Sequence, residues 1–539
     1  MAAVELVLVL LAAAAALELL ARRIGIPHPV LLVIGGLLLS LTPGLPAVRL
    51  DPDVVFLVFV PPLLYWVALT SSYRDFKRNL PSISLLALGL VLATACAVAV
   101  VAHAIVPGMG WAPAFVLGAI VSPTDAVAAT AVARRLGVPQ TAITILEGES
   151  LVNDATALVA YRMAIGAVAA ETFSFDTAGQ RFILAAGGGI AIGLIAGLAV
   201  AMLRRRIHNT VVENTISLLT PFVAFLPAER VGASGVLAVV TVGLYLGRLG
   251  PRIVSPRTRI QASGMWEMVT FLLQGLIFIL IGLELPKAIE LMRPLSLGHL
   301  LMQAALVAGT VIAVRLLWMF PGAYVAARLG RVFGAREDMS NWRGVLFVAW
   351  AGMRGGVSLV IALAIPLTVA GGKPFPERDL IIFFTFAVIL ATLVLQGMSL
   401  PAVIHLLKLR RDDGRDIEER KARHKVAAAG LRHLEGLAGN GDDELVGRLR
   451  ERHRHRVHRY GPHDAGSPEP DHDDERLAAD YRRIRGAMIA AERGEMIRLR
   501  DQNVISDDVM RQIQHELDLE QMLLDSPRPD PVGEVAERG

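Results

Sequence analysis

The sequence is poor in charge and in cysteine. Only 19% of its 539 residues are charged, whereas a soluble globular protein usually carries about 25%. Its single cysteine, Cys96, excludes an intrachain disulfide and a cysteine-rich metal site. The sequence also lacks HExxH, GxSxG and phosphate-binding-loop motifs, which removes these signatures of hydrolases and nucleotide-dependent enzymes.

Apolar residues are in excess and make up 54% of the chain. From Met1 to about Leu407, apolar stretches of roughly 17–25 residues recur, and each is long enough to cross a hydrocarbon core of about 30 Å as a helix. We predict about thirteen spans. Their approximate bounds are 3–20, 28–44, 54–71, 82–107, 111–136, 141–170, 180–203, 213–228, 231–248, 266–286, 297–328, 343–371 and 379–407. Residues 1–408 are therefore predicted to form an all-α integral membrane domain embedded in a lipid bilayer.

Basic residues alternate between the loops on the two sides of the predicted spans. One side, which includes Arg204, Arg205 and Arg206, carries about 18 lysines and arginines, and the opposite side carries about seven. The positive-inside rule then predicts a multi-pass protein of the cell membrane with its N-terminus outside and its C-terminal tail in the cytoplasm. These loops also account for the net charge of +4, so no nucleic-acid partner is expected.

After about Lys408 the sequence becomes polar. Residues 409–539 are rich in Arg, His, Asp and Glu and are predicted to form a soluble cytoplasmic tail. The stretches 415–437 and roughly 475–525 have helical patterning with mixed charge. Between them, 453–474 is rich in His, Pro, Gly and Asp and is predicted to be a flexible linker. Such a mixed-charge helix is usually a solvated or self-associating face, and a site for a regulatory ligand is the alternative.

A proline interrupts the fifth span beside an acidic residue. Asp125 lies in the segment SPTDAVA at 122–128, and an ionisable residue inside a bilayer is a functional candidate because its burial is costly. Pro123 removes a helix hydrogen bond, and such a break is tolerated at membrane depth only where the backbone is buried or lines a cavity. The freed carbonyls can bind a cation. A simple proline kink is the structural alternative.

A second polar group lies on the sixth span, in the segment EGESLVNDA at 147–155. Ser150 and Asp154 are four residues apart, which places a hydroxyl and a carboxylate on one helix face. Asn153 adds an amide beside the acid, and oxygens of these kinds suit a hard cation. The structural alternatives are a buried salt bridge for Asp154 and helix packing or capping for the other two.

The segment GMRGG at 352–356 interrupts the twelfth span, because three glycines around Arg354 weaken a helix. The proline break lies in the fifth helix of spans 1–6, and the glycine break lies in the fifth helix of spans 8–13. Corresponding breaks in two halves predict inverted six-helix repeats and mark the binding site of a secondary transporter. Arg354 is predicted to neutralise a nearby acid, most simply Glu149, as a fixed charge. Arg315 is a weaker candidate for a functional intramembrane charge.

The three motif segments, taken in their order along the predicted spans, resemble motifs of the monovalent cation/proton antiporter superfamily. They are SPTDAVA, EGESLVNDA and GMRGGVSL (352–359). They fit its branch of bacterial Na+/H+ antiporters and animal Na+/H+ exchangers. The resemblance covers most of residues 1–408. It implies a homodimer with a core domain and a dimerisation domain, two discontinuous crossing helices, and alternating access by an elevator-like movement of the core. It implies no cofactor beyond the transported cation and protons.

The resemblance also implies roles for individual residues. Asp154 is the main carrier of cation and proton, and Thr124, Asp125 and Ser150 help to form the site. Among these, the ligands of the monovalent metal ion are Asp154, Asp125 and Ser150. Asn153 occupies the asparagine of the family's Asn-Asp pair, and members with asparagine there are expected to exchange one cation per proton without net charge.

Two further expectations follow from the resemblance. Glu149 and Arg354 are expected to form a structural ion pair. Related archaeal antiporters carry a glutamate in the third helix, in a Pro-Pro-Leu-Leu-Phe-Glu pattern, whereas this chain has PPLLYW at 61–66 with Trp66 at the place of the acid. A cation ligand from that helix is therefore not expected, and the ion preference of those relatives does not carry over.

The sequence thus predicts a secondary active antiporter, not an enzyme, that exchanges Na+ for protons and serves pH homeostasis. Proton and cation compete for Asp154, which holds the proton at lower pH and the cation at higher pH. A K+/H+ antiporter is the main alternative. A cation channel would conduct without obligatory proton flux, and broken helices in both halves favour a transporter over it. An intramembrane aspartyl protease would use Asp125 and Asp154 as a dyad, but that family has Gly where this chain has Asn153.

Overall fold

The computed structural model describes residues 2–24, 28–41, 52–170, 175–207, 209–291, 296–332, 342–369, 372–409, 422, 425 and 472–525. The chain forms two compact units, one of residues 1–253 and 262–412 and one of residues 254–261 and 413–539. The predicted boundary between residues 408 and 409 stays a prediction. Most of the predicted helix at 415–437 and most of the predicted linker at 453–474 lie outside the described residues.

The first half of the first unit is a series of helices that ends with a long one. Helices α1 to α9 are Ala2–Ile24, His28–Ser40, Pro52–Thr70, Tyr73–Arg78, Leu80–Ser84, Val91–Ile105, Trp111–Val121, Ala126–Arg135 and Gln140–Ala170. A π-helical turn, Leu85–Leu90, joins α5 to α6, so that they continue as one apolar rod.

The second half is also built from helices. Helices α10 to α18 are Phe175–Arg204, Thr210–Arg230, Gly235–Ile253, Pro256–Leu291, Leu297–Val332, Trp342–Trp350, Gly356–Leu363, Arg378–Ala391 and Met398–Leu407. A second π-helical turn, Thr392–Gly397, joins α17 to α18. Such turns insert an extra residue into a helix and often occur at functional sites. Outside the helices, the described residues contain one isolated β-bridge between Thr368 and Pro374.

The helices have the lengths and composition that a bilayer requires. Eight of those described are long and apolar enough to cross a membrane, and four shorter ones are also apolar. This confirms the predicted all-α, multi-pass membrane protein in its coarse form. The finer count of about thirteen spans and the inverted repeat stay predictions.

Two of the predicted spans are each divided into two short helices. Helix α7 ends at Val121 and α8 begins at Ala126, with Pro123 between them. Helix α15 ends at Trp350 and α16 begins at Gly356, with the glycine-rich segment between them. The proline and glycine signals therefore predicted the positions of both interruptions.

The second unit contains a helical hairpin. Its two helices, α19 (His472–Asp501) and α20 (Asp507–Asp525), are joined by a short connection. They match the predicted helical stretch of roughly 475–525, except that α19 begins three residues earlier, inside the predicted linker. They enclose an apolar core that includes Ile489, Leu499 and Val509.

Ion pairs surround the core of this unit. The Asp518 carboxylate, whose side chain is only 3% exposed, accepts hydrogen bonds from Arg259 Nε and Nη2 at 2.8 and 2.5 Å. Arg493 Nη2 donates to the same carboxylate at 3.0 Å. Arg485 binds Glu520 through two hydrogen bonds of 2.8 and 2.7 Å.

Candidate functional site

The two interrupted helices touch each other at their breaks. The backbone N–H of Asp125, in the first break, donates to the Met353 carbonyl in the second break at 2.8 Å. The approach is close enough to require glycine, because a side-chain carbon at Gly355 would lie 1.8 Å from Asp125 Oδ2. Four helix ends, those of α7, α8, α15 and α16, therefore converge on one place inside the membrane domain.

The Asp125 carboxylate lies at the N-terminal ends of α8 and α16. Its Oδ1 accepts the backbone N–H of Val127 at 2.8 Å and so caps α8. The backbone N–H of Gly356, at the start of α16, is also close enough to act on the charge of this carboxylate. Helix N-termini carry partial positive charge and unpaired N–H groups, so a carboxylate stabilises both ends at once.

The Arg354 guanidinium lies at the C-terminal ends of the other two helices, α7 and α15. Its Nε donates to the carbonyl of Val121, the last residue of α7, at 3.1 Å, and its Nη1 donates to the carbonyl of Gly352, just beyond α15. Its backbone N–H donates to Thr392 Oγ1 at 3.1 Å. The side chain is fully buried. A cation at two helix C-termini offsets their partial negative charge, which explains why an arginine is held in this break.

The predicted ion pair between Glu149 and Arg354 is wrong, because the structure pairs Glu149 with Arg315 of α14. Arg315 Nη1 and Nη2 donate to the two carboxylate oxygens of Glu149 at 2.5 and 2.9 Å. The two side chains are 0% and 1% exposed. Arg315 also donates from Nε to the Ala349 carbonyl at 3.0 Å and from Nη2 to the Val348 carbonyl at 2.9 Å. The planar guanidinium thus holds Glu149 and the end of α15 together.

Glu149 orients the next residues through a chain of hydrogen bonds. Thr124 Oγ1 donates to Glu149 Oε1 at 2.9 Å and accepts from Asn153 Nδ2 at 2.7 Å. The Asn153 amide nitrogen is thereby fixed, while its Oδ1 is buried and makes no hydrogen bond to the part of the chain that the structure describes. A buried oxygen of this kind needs a partner such as a cation or a water molecule.

Asp154 lies beside this chain on α9 and is 5% exposed. The charged groups near enough to act on it are Asp125 and Glu149. Ser150 lies one turn earlier on the same helix and is half-buried. The structure therefore brings the predicted site residues of the fifth and sixth spans close to one another.

Sequence reasoning missed one residue near the site. His28, the first residue of α2, is half-buried and close enough to Asp125 to interact with its charge. A lone histidine after a loop carries no motif, so the sequence offered no signal for it.

Trp66 takes part in an aromatic cluster. Its ring stacks on Trp266 of α13 with centroids 6.0 Å apart and an interplanar angle of 10°. Trp266 also lies 5.3 Å from the Tyr65 ring, and its Nε1 donates to Ser217 Oγ at 3.0 Å. At this position α3 supplies a packed indole where related archaeal antiporters carry an acid.

Comparisons with known proteins agree with this architecture. The transmembrane sodium/hydrogen exchanger family matches residues 7–406. The uncharacterized Na(+)/H(+) exchanger of Mycobacterium tuberculosis is 38% identical over 531 residues, which are 97% of this chain and 96% of that protein. The sodium, potassium, lithium and rubidium/H(+) antiporter of Bacillus pumilus is 34% identical over 406 residues, which are 73% of this chain and 60% of that protein.

A solved structure shares the fold. The sodium proton antiporter MjNhaP1 from Methanocaldococcus jannaschii matches with a TM-score of 0.56 and 20% identity, over 74% of this chain and 98% of that one. The family match contains both breaks, α9 and both buried arginines, and it confirms the resemblance of the three motifs. The chain is therefore a membrane cation/proton antiporter, not an enzyme, and it belongs to the sodium/hydrogen exchanger family.

Proposed function

We propose that this antiporter exchanges Na+ for H+ at Asp154, which binds one of the two ions at a time. The observation that carries the proposal is the hydrogen-bonded chain from Arg315 through Glu149 and Thr124 to Asn153. That chain leaves a buried amide oxygen, Asn153 Oδ1, without a partner next to a buried carboxylate. Carboxylate and amide oxygens are ligands that a hard monovalent cation accepts.

The remaining ligands come from α9 and from the first break. Ser150 Oγ supplies a hydroxyl on α9, and the Asp125 carboxylate adds negative charge from the first break. Asp125 is already committed to two helix ends, and Glu149 is neutralised by Arg315. Asp154 is then the group left to change its occupant, which makes it the carrier in this proposal.

The charge count supports electroneutral exchange. Asn153 is neutral, and Glu149 forms an ion pair. If Asp154 carries either one proton or one Na+, the occupied site has the same net charge when it moves inward and when it moves outward across the membrane. One cation then exchanges for one proton, and a proton gradient drives Na+ out of the cell.

The crossing breaks also support alternating access, and the resemblance to the family supports a homodimer. Short helices with satisfied ends can move together as one body with α9, because Asp125 and Arg354 hold the breaks to each other. We place the protein in the cell membrane with its N-terminus outside and its tail in the cytoplasm, as the distribution of basic loops predicts.

The test is Asp154→Asn in proteoliposomes with an imposed pH gradient. Asparagine keeps the size of the side chain but cannot bind a proton or balance a cation, so we expect exchange to be lost while the protein still folds. Asp379→Asn on α17 is the matched control, because Asp379 is about half exposed and pairs with Arg378, outside the chain of contacts described above. Retained pH-dependent Na+ exchange by Asp154→Asn would refute the assignment.

K+/H+ exchange is the second candidate function. It is favoured by the Bacillus pumilus relative, which is named for exchange of sodium, potassium, lithium and rubidium. A hydroxyl, an amide and a carboxylate also offer no fixed cage that would exclude the larger ion. The same proteoliposomes, loaded in turn with Na+, K+, Li+ or Rb+, rank the cations.

A further inference from the structure

An ion pair joins the helix that carries Asp154 to a different group of helices. Arg162 Nη2 on α9 donates to Glu229 Oε2 in the last turn of α11. Arg162 is eight residues beyond Asp154, or about 12 Å along the helix. With α9 running outward from its start at Gln140, as the basic loops predict, the pair lies at the external end of the transporter.

Glu229 is fixed to its own side of this contact. Its other carboxylate oxygen, Oε1, accepts the backbone N–H of Gly235, the first residue of α12, at 2.9 Å. The same turn is bound to α10, because the backbone N–H of Ser234 donates to the Ala185 carbonyl at 2.9 Å. Glu229 is therefore a pre-positioned acceptor held by α10, α11 and α12.

Arg162 belongs to the side of the broken helices. The neighbouring Tyr161 donates from its hydroxyl to the carbonyl of Ala364, at the end of α16, at 3.0 Å. Earlier on α9, Asn153 and Glu149 are bonded to Thr124 in the first break. The ion pair between Arg162 and Glu229 therefore crosses from the helices that form the ion site to helices that do not.

We propose that Arg162 and Glu229 form an external lock that closes the transporter on the outside and opens whenever Asp154 becomes accessible from there. The proposal rests on alternating access as proposed above. The side chains are 40% and 23% exposed, and an ion pair in contact with water is worth little free energy. A weak pair suits a contact that must break in every cycle, in contrast to the fully buried pair of Glu149 and Arg315.

The experiment measures the half-saturating Na+ concentration at each face, in right-side-out and everted vesicles. Arg162→Gln and Glu229→Gln each remove one charge, and glutamine keeps an acceptor for Gly235. Loss of the lock raises the population open to the outside, and apparent affinity scales with the population of the competent state. We expect the external half-saturating concentration to fall and the cytoplasmic one to rise, so that the ratio of the two changes by about two- to fivefold.

A matched control exists on the same helix. Glu147 pairs with Arg134 Nη2 of α8 at 2.7 Å with side-chain exposures of 23% and 44%, but this pair lies within the group of helices that forms the ion site. Glu147→Gln should therefore leave the ratio of the two half-saturating concentrations unchanged. Arg162→Lys keeps the charge and should remain closer to the unaltered protein than Arg162→Gln.

The outcomes separate the lock from the transport function. Equal shifts at both faces, or a fall in maximal rate alone, would show a merely structural pair and overturn the lock while leaving exchange intact. Absence of Na+-dependent proton flux in the unaltered protein would instead overturn the proposed function itself.

Discussion

Removal of either partner from the buried pair of Glu149 and Arg315 should destabilise the protein strongly. Arg315→Met leaves the Glu149 carboxylate buried without its cation, and it also removes the donors to the Ala349 and Val348 carbonyls. Glu149→Met leaves a fully buried guanidinium and deprives Thr124 of its acceptor. Each single change therefore isolates a buried charge.

The magnitude follows from the burial. Breaking a buried pair by removing one partner costs about 3–5 kcal/mol, which is about two to four orders of magnitude in the ratio of folded to unfolded protein. Replacing both partners with apolar residues is often close to neutral. The double variant still loses about 1–3 kcal/mol of folding stability for each buried polar group that stays unpaired. The two single losses should therefore add to much more than the loss in the double variant.

The assay is the unfolding equilibrium of the full-length protein in mixed detergent micelles. A double-mutant cycle of Glu149→Met and Arg315→Met should give a coupling of at least about 2 kcal/mol. The matching cycle of Glu149→Met with Arg354→Met should give a smaller one, because Arg354 donates to backbone carbonyls instead. Additive losses in the first cycle, or the larger coupling in the second, would show that the pairing described here is incorrect.

Two further predictions concern the site and the tail. Thr124→Val keeps the shape of the side chain but removes the hydrogen bonds to Glu149 and Asn153. The half-saturating Na+ concentration in proteoliposomes should therefore rise about tenfold. Thr124→Ser keeps the hydroxyl and should stay near the value of the unaltered protein. In the tail, burial raises the pKa of Glu492, so folding favours its protonated form and the hairpin should lose stability as the pH rises above the ordinary value of 4.5. Protease cleavage of the tail in the full-length protein should accelerate as the pH rises over that range. Glu492→Gln stays neutral and should remove this acceleration. If the variant kept the pH profile of the unaltered protein, the prediction would be contradicted.

Local chemistry made the positions of the two breaks predictable. Pro123 removes a backbone hydrogen bond from the helix interior, and the glycines around Arg354 lower the helix propensity of their segment. The positions of both interruptions could therefore be predicted from the local sequence alone. Ser150, Asn153 and Asp154 share a helix, so their proximity follows from helical spacing. The resemblance to the family motifs then led to the prediction that Asp154 is the carrier.

The partner of Glu149 could not be predicted in the same way. Arg315 and Arg354 both lie in apolar sequence, and which of them reaches Glu149 depends on how α14 packs against α9 in three dimensions. Arg354 is already held by carbonyls at the helix ends, a demand that arises only when the two breaks meet. Contacts between residues distant in sequence, such as Arg162 with Glu229, are likewise set by packing and carry no local signal.

The dependence of Na+ affinity on pH is the most direct test of competition at Asp154. Initial rates of Na+ exchange are measured in proteoliposomes with equal pH on both sides, over a series of Na+ concentrations at each pH. Because a proton and Na+ exclude each other from one carboxylate, the half-saturating Na+ concentration should rise up to about tenfold for each unit by which the pH falls, with an unchanged maximal rate. A maximal rate that falls with pH at constant half-saturation would mean that the two ions load independently, and it would contradict the account.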